Sequence, residues 1–454
     1  MDDSLVQQAL QFTTTTRWDE LPLLVQEQSK RALLDTLGCL IAGLDTPVAK
    51  IAAEFVQDQC QGKDATLFYN SKRVSCVGAA MANANANNAY DIDDGHKFTL
   101  GHSGACLLPS LLAISELPDA KKSGTDFLTA LTVGYEMAIR AALIRHATYE
   151  VYHGTGSWAP LGVVAGASHL LHLDQDTLRN ALGIAEYHGA IAPMMKCIAV
   201  PSMCKDSIGQ GAMVGVSSVL LARRGFTGIQ PLYGDAPQKE MVTSLGKKWE
   251  IMNLYWKPHA SCRWSHCAIA AAQKVHAQMQ QEKIPLESVD QIQVVTFARA
   301  KALQRAGHPK DTEEAQYHLA YPLAAALIDG ELGPKQVSAP RIYHKDVRQL
   351  ADKVTVIFDK SMDETELKTQ VKLADIRVST RDGRVFQSGR TEPKWEEDQP
   401  PSDLELQQKF LWLVAPILGK ERAQTLLATV LSLDKMDNIE ELIKMCLPQP
   451  NADC

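Results

Sequence analysis

PLLVQEQSKRALLDTLGCLIAGL, residues 22–44, is the stretch that decides the fold. Leu23, Val25, Leu33, Leu34, Leu37, Leu40 and Ile41 recur at the spacing of one helix face, and Ala42-Gly43 with Pro47 just beyond supplies the stop. Asp45-Thr46-Pro47 then offers a cap and an N1 proline for a helix over about 47–58. The same grammar repeats outward. Ser75 to Asp91 is dominated by Ala and Asn, Ser123 to Ile144 opens on Ser-Gly-Thr-Asp, and Asp174 to Glu186 and Asp206 to Arg224 are further helices. Small residues (Gly162, Ala165, Gly166, Gly209, Gly211, Ala212) predict helices that pack with close backbone approach. The first 270 or so residues therefore read as an all-helical core.

The period changes after about residue 285. Val289 to Thr296 carries strand-forming residues, with Val289, Gln291, Gln293 and Val295 on one face, and Val354 to Phe358 is a second strand. Ala374 to Thr380, then Arg381-Asp382-Gly383-Arg384, then Val385-Phe386 reads as a hairpin, because Asp-Gly supplies the positive φ a tight turn needs. Pro393 to Pro401 reads as a polar linker, and helical patterning returns from Asp403 to Cys446. The fold class is mainly α: a large all-helical domain with an inserted α+β domain. Residues 1–270 form the first part of the helical domain, 271–395 the insertion, and 396–454 the C-terminal helices that return to it.

Composition narrows the function classes. The 454 residues carry 46 Lys and Arg against 53 Asp and Glu, a net charge of −7, with no basic block, so nucleic acid is not an expected partner. Met1-Asp2-Asp3-Ser4 has neither the basic nor the apolar region of a secretory signal, and no uninterrupted apolar run nears the roughly 18 residues of a membrane span. The ten cysteines show no CxxC and no regular spacing. A cytoplasmic, membrane-free protein is expected.

Candidate chemistry sits in five places. Asp91-Ile92-Asp93-Asp94-Gly95-His96 puts three carboxylates within four residues; this is either a solvated helix end or a cluster needing donors or a metal. A Mg²⁺-holding helical enzyme of diphosphates would need a second acidic cluster, and none is obvious. His102 and His153 stand at loop-to-helix junctions, where free N–H groups suit anions, although loop histidines are commonly surface residues. Lys205 opens a helix against its macrodipole, which points either to an anion-holding role or to a snorkelling surface side chain. Lys257 to His266 is the densest polar stretch. Cys262 and His266 share a face if a helix begins there, as a weak zinc pair or a Cys–His nucleophile, while Lys257 and Arg263 suit a carboxylate substrate.

Taken in order, these segments resemble the MmgE/PrpD superfamily of 2-methylcitrate dehydratase and cis-aconitate decarboxylase, which also includes an iminodisuccinate epimerase. The likeness is carried by Leu34-Asp35-Thr36-Leu37-Gly38, Asn83-Ala84 leading to Asp91-Ile92-Asp93-Asp94, and His153 before a Gly/Ala helix. It continues through Met203-Cys204-Lys205, Leu221 to Gly228, Lys257 to His266, and Glu314-Ala315-Gln316-Tyr317 with Leu327-Ile328-Asp329-Gly330. The resemblance implies a helical domain with an α+β lid, a homodimer, no metal or organic cofactor, and a small carboxylic acid as substrate. It places Asp91, His102, His153, Lys205 and His266 at the catalytic positions, with Lys257, Cys262, Arg263 and His318 as substrate-binding candidates. The chain departs from the family pattern at Asn88, Gly95, Ser103, Ala270 and His318, which marks a divergent subgroup. The expected function is a cofactor-free lyase on a hydroxy di- or tricarboxylate, most simply a dehydratase. A decarboxylase or an epimerase is the alternative within the family, and a non-catalytic carboxylate-binding protein the remote one.

Overall fold

The computed structural model describes residues 2–448; the last residues of the predicted C-terminal segment lie outside them. The chain is 58% helix and 8% strand. The helix Leu23–Gly43 is its organising rod: from Ala32 onward every residue is buried, because helices cover it on both sides. Leu23 is an exception to the predicted face, being 68% exposed in the first turn. Behind the rod lie Cys76–Asn87, Ser103–Ser115 and Gly124–Thr148, and across it returns the C-terminal helix Asp403–Leu418, whose Phe410 lies against Gly38. The caps are those the sequence advertises. Thr46, Ser75, Ser123 and Asp174 each accept a backbone N–H from the first turn of the following helix.

Gly124–Thr148 has the length and hydropathy of a membrane span, yet 94% of that stretch is buried inside the protein, as befits a central helix. It meets Ala159–Leu170 through backbone contact. A Cβ on Gly162 would stand 2.4 Å from the Gly134 carbonyl oxygen and 2.5 Å from Ala138 Cβ. Gly162→Ala gains helix propensity of about 1 kcal/mol but must push two helices apart, so a net loss of about 1–3 kcal/mol is expected. The check is urea unfolding, with the midpoint falling at constant m.

A second core is built by residues after 260 around a four-stranded sheet, and it also takes in Cys39, Ala42, Tyr90, Ile92 and Leu413 from the helical body. The strands run in the order Val354–Phe358, Val289–Thr296, Ala374–Thr380, Val385–Gln387, the first pair parallel and the others antiparallel. The Asp-Gly hairpin forms as read, with Gly383 at φ 88°. The strand face does not. A register shift between Val289 and Gln291 puts Val289, Ile292, Val294 and Thr296 inward and leaves Gln291 exposed and Gln293 and Val295 half-buried. One extra residue reverses a period-two pattern. The helix His266–Gln281 covers the inner face, and the two cores meet along the segments that carry the candidate chemistry.

Candidate active site

The acidic cluster is no solvated helix end: Asp91 is 2% exposed and Asp93 and Asp94 are fully buried. Each carboxylate has its own solution. Asp93 accepts from Asn88 Nδ2 at 2.9 Å, so Asn88, one of the departures from the family pattern, holds the cluster together. Asp94 accepts from Tyr135 Oη at 3.0 Å, and burial, with Asp35 and Asp93 nearby, pushes its carboxyl well above the usual range. Asp91 pairs with Lys257, whose Nζ donates to Oδ1 at 2.5 Å and to its carbonyl at 3.0 Å. Burial works to raise the Asp91 pKa, but Lys257, His102 and Lys205 outweigh it and hold the carboxyl below the usual range.

The local fold explains this meeting. Gly95-His96 pairs antiparallel with Leu254-Tyr255, which carries Lys257, two residues further on, to the Asp91 loop. The pairing requires a glycine, since a Cβ at Gly95 would stand 2.4 Å from the Tyr255 ring. His102 closes the loop just before the helix Ser103–Ser115. Its Nδ1 lies 2.8 Å from the Asp94 carbonyl and 3.3 Å from Asp93 Oδ2, which assigns the proton to Nδ1 and leaves Nε2 3.4 Å from Asp91 Oδ1.

Asp91, His102, Lys257, Cys262 and Arg263 line one small cavity, together with Tyr152, Asp206, Tyr255, Trp264, Tyr317 and Lys372. The lining is drawn from distant segments, 91–102, 152, 206, 255–264, 317 and 372, and its apolar members Met194, Ile198, Trp264 and Tyr317 belong to the second core. Asp206 is 2% exposed; burial raises its pKa, with His102 opposing and the Asp91 charge adding to the rise. Two carboxyls lining the cavity are thereby pushed in opposite directions, Asp91 downward and Asp206 upward. Asp91, Leu100, Lys205 and Ser207 all adopt positive φ (50°, 51°, 40° and 60°), a concentration of backbone strain that packing sustains at this one place.

Other sequence candidates are placed differently. Lys205 is buried, but its ammonium donates to the Asn88 and Ala89 carbonyls and to Gln316 Oε1, which makes it a brace for the Asp91 loop, not a free cation in the cavity. Arg263 borders the cavity with its donors committed to the Trp256 and Lys394 carbonyls and an ion pair with Glu396 at 2.9 Å. The predicted linker Pro393 to Pro401 is in this way fastened behind the site. Cys262 and His266 do not share a helix face, because the α-helix begins only at His266 after a 3-10 turn, Arg263–Ser265. Burial pushes the Cys262 thiol up to about 12, and the His266 Nε2 faces the Ser261 carbonyl at 3.0 Å, so neither a nucleophile nor a zinc pair is assembled. The His266 ring is kept neutral by burial and by Arg263. His318 stands just before the helix Ala320–Asp329, its Nδ1 accepting from Tyr321 N at 3.2 Å. The His153 ring packs on His146 at 4.7 Å outside the cavity lining, and burial lowers its pKa to about 4.

Asp206, Lys372 and the tyrosines were not singled out from sequence. A carboxylate adjoining Lys205 and a lysine inside Val371-Lys372-Leu373 were the available signals. As for metals, Asp91, Asp93 and His102 offer ligand atoms within 4.8 Å of one another. The Lys257 ammonium, however, already occupies the Asp91 oxygen, Asn88 donates to Asp93 Oδ1, and the His102 Nδ1 proton is given to the Asp94 carbonyl, so the donor set is that of a hydrogen-bonded network and does not suit a divalent cation.

The chain belongs to the MmgE/PrpD family. Residues 7–251 match the MmgE/PrpD N-terminal domain and residues 259–435 the MmgE/PrpD C-terminal domain. Family members are lyases, and the chain is an enzyme of that kind. Its relatives include cis-aconitate decarboxylase-like protein oryM of Aspergillus oryzae, 26% identical over 96% of this chain and 95% of the relative. The cis-aconitate decarboxylase of Homo sapiens is 26% identical over 92% and 89%, and that of Aspergillus terreus 24% over 94% and 92%.

Proposed function

We propose that the protein is a metal-independent lyase of a small di- or tricarboxylic acid, and that its reaction is loss of CO₂ from an unsaturated tricarboxylate of the cis-aconitate type. The observation that carries this reading is the cavity's pairing of carboxyls pushed in opposite directions, Asp91 downward and Asp206 upward, around the single-tautomer His102. When a carboxylate leaves as CO₂, its bonding pair stays on carbon and delocalises toward a neighbouring carboxylate, giving an enediolate. Lys257 stabilises that charge in a site where the field is fixed in advance. The carbon then takes a proton, supplied by Asp206 or through His102. Asp91 keeps Lys257 charged and aimed.

The sequence alone puts dehydration first, and the same groups serve it: His102 as base toward the alpha proton, Asp206 as acid toward the departing hydroxide. The relatives' names move CO₂ loss ahead. Incubation in D₂O with cis-aconitate, 2-methylcitrate, citrate and substituted succinates, followed by NMR, separates the outcomes. The proposal expects CO₂ release with one deuteron incorporated on carbon; water loss without CO₂ would make dehydration the reaction, and inertness toward every acid would overturn the proposal. Turnover should survive EDTA, and loss restored by Mg²⁺ or Zn²⁺ would contradict the metal-independent reading. A homodimer belongs to the same proposal, and a monomer in sedimentation at assay concentration would remove it.

A further inference from the structure

Lys372 is the one cavity cation contributed by the α+β unit, and nothing in the protein employs it fully. It is 2% exposed, just before the strand Ala374–Thr380. An ammonium has three protons to donate, yet its one hydrogen bond is to the Gln370 carbonyl at 2.9 Å, and no ion pair among the described residues includes it. The carboxylates nearest to it in charge are engaged elsewhere: Glu366 pairs with Arg299 at 3.0 Å and Glu396 with Arg263 at 2.9 Å. Burial lowers its pKa, and Glu396 and Glu366, each already paired with an arginine, only partly offset that. Lys257, by contrast, carries its own carboxylate, Asp91.

We propose that Lys372 is the receptor for the substrate's second, non-reacting carboxylate, so that the α+β unit selects polycarboxylates by length while the helical body does the chemistry. The inference rests on the polycarboxylate reading above and adds which residue sets specificity. A ligand that spans the cavity places one carboxylate by Lys257 and His102 and another on Lys372, and so ties the two cores together. A ligand one carboxylate short leaves a buried ammonium unpaired, which is how a site rejects an analogue lacking a polar group.

The test is calorimetric binding of two unreactive probes, tricarballylate and the monocarboxylate butyrate, to the full-length protein and to Lys372→Met, which keeps the stem and volume. Wild type should prefer tricarballylate, and Lys372→Met should lose roughly tenfold or more for tricarballylate and less than about threefold for butyrate. Melting of the ligand-free protein distinguishes a structural role. Removing an unpaired buried charge should leave Tm unchanged or raised, whereas a structural lysine would lower it. Lys372→Gln repeats the comparison should the methionine variant fold poorly. Equal losses for both probes, or none, would overturn the role given to Lys372. If wild type bound neither probe, the polycarboxylate reading itself would fall, and this inference with it.

Discussion

His102→Asn lowers kcat/KM by roughly 10²–10⁴, the usual contribution of a positioned acid or base, while the melting temperature stays close to wild type. The asparagine amide can take over the donation that His102 Nδ1 makes to the Asp94 carbonyl at 2.8 Å, but it offers nothing at the Nε2 position facing Asp91. His102→Ala should lose the same activity and also about 1–3 kcal/mol of stability, because it leaves buried Asp94 oxygen unsatisfied. Steady-state kinetics with thermal melts checks both, and near-native turnover in the asparagine variant would remove His102 from the chemistry. The pH profile follows from the carboxyls. Asp91 must be ionised and is held below the usual carboxylate range, so it sets the acid limb; Asp206 must be protonated and is held above that range, so it sets the alkaline limb. Asp206→Asn should abolish the alkaline limb.

Lys257→Met is the more damaging change, because it strips the counter-charge from a fully buried carboxylate. Breaking one side of a buried pair costs about 3–5 kcal/mol, and kcat/KM should fall by at least roughly 10². The linkage has a definite sign. Asp91's folded pKa lies below its unfolded value, so the pair contributes stability that is present above the unfolded value and lost as pH falls through the folded one. The deficit of Lys257→Met is therefore largest near neutrality and shrinks as the medium becomes acidic. Adding Asp91→Asn should restore most of the stability and none of the activity, since the double variant has no orphaned charge and still no cation for the enediolate. Urea unfolding at two pH values with parallel kinetics decides the point; a variant as stable as wild type near neutrality would show that Asp91 does not depend on Lys257.

What the sequence shows and what it hides divide along physical lines. Helix caps and the Asp382-Gly383 turn are local, so Ser75, Ser123, Asp174 and the hairpin are legible without the fold. The strand face at Val289–Thr296 is lost because a bulge, which no residue type announces, shifts the register. The site shows the same division. Asp91, His102 and Lys257 are found because charged groups cluster in segments that otherwise read as interior. His153, His266 and His318 share that signature, yet one ring nitrogen of each faces the Val151, Ser261 or Gly307 carbonyl, and only coordinates reveal which way a ring points. Lys372 and Tyr317 reach the cavity from far along the chain, so no spacing rule could connect them to Asp91.

The cavity lined by Asp91, His102, Lys257 and Lys372 is the proposed place of substrate binding. Hydrogen exchange followed by mass spectrometry, with and without saturating tricarballylate, measures this directly. The account predicts slowed exchange in the Asp91–His102 loop, in Lys257 to Trp264 and around Lys372 together, because one ligand bridges all three. Protection confined to the β-sheet, with exchange at Asp91 and Lys257 unchanged, would contradict it.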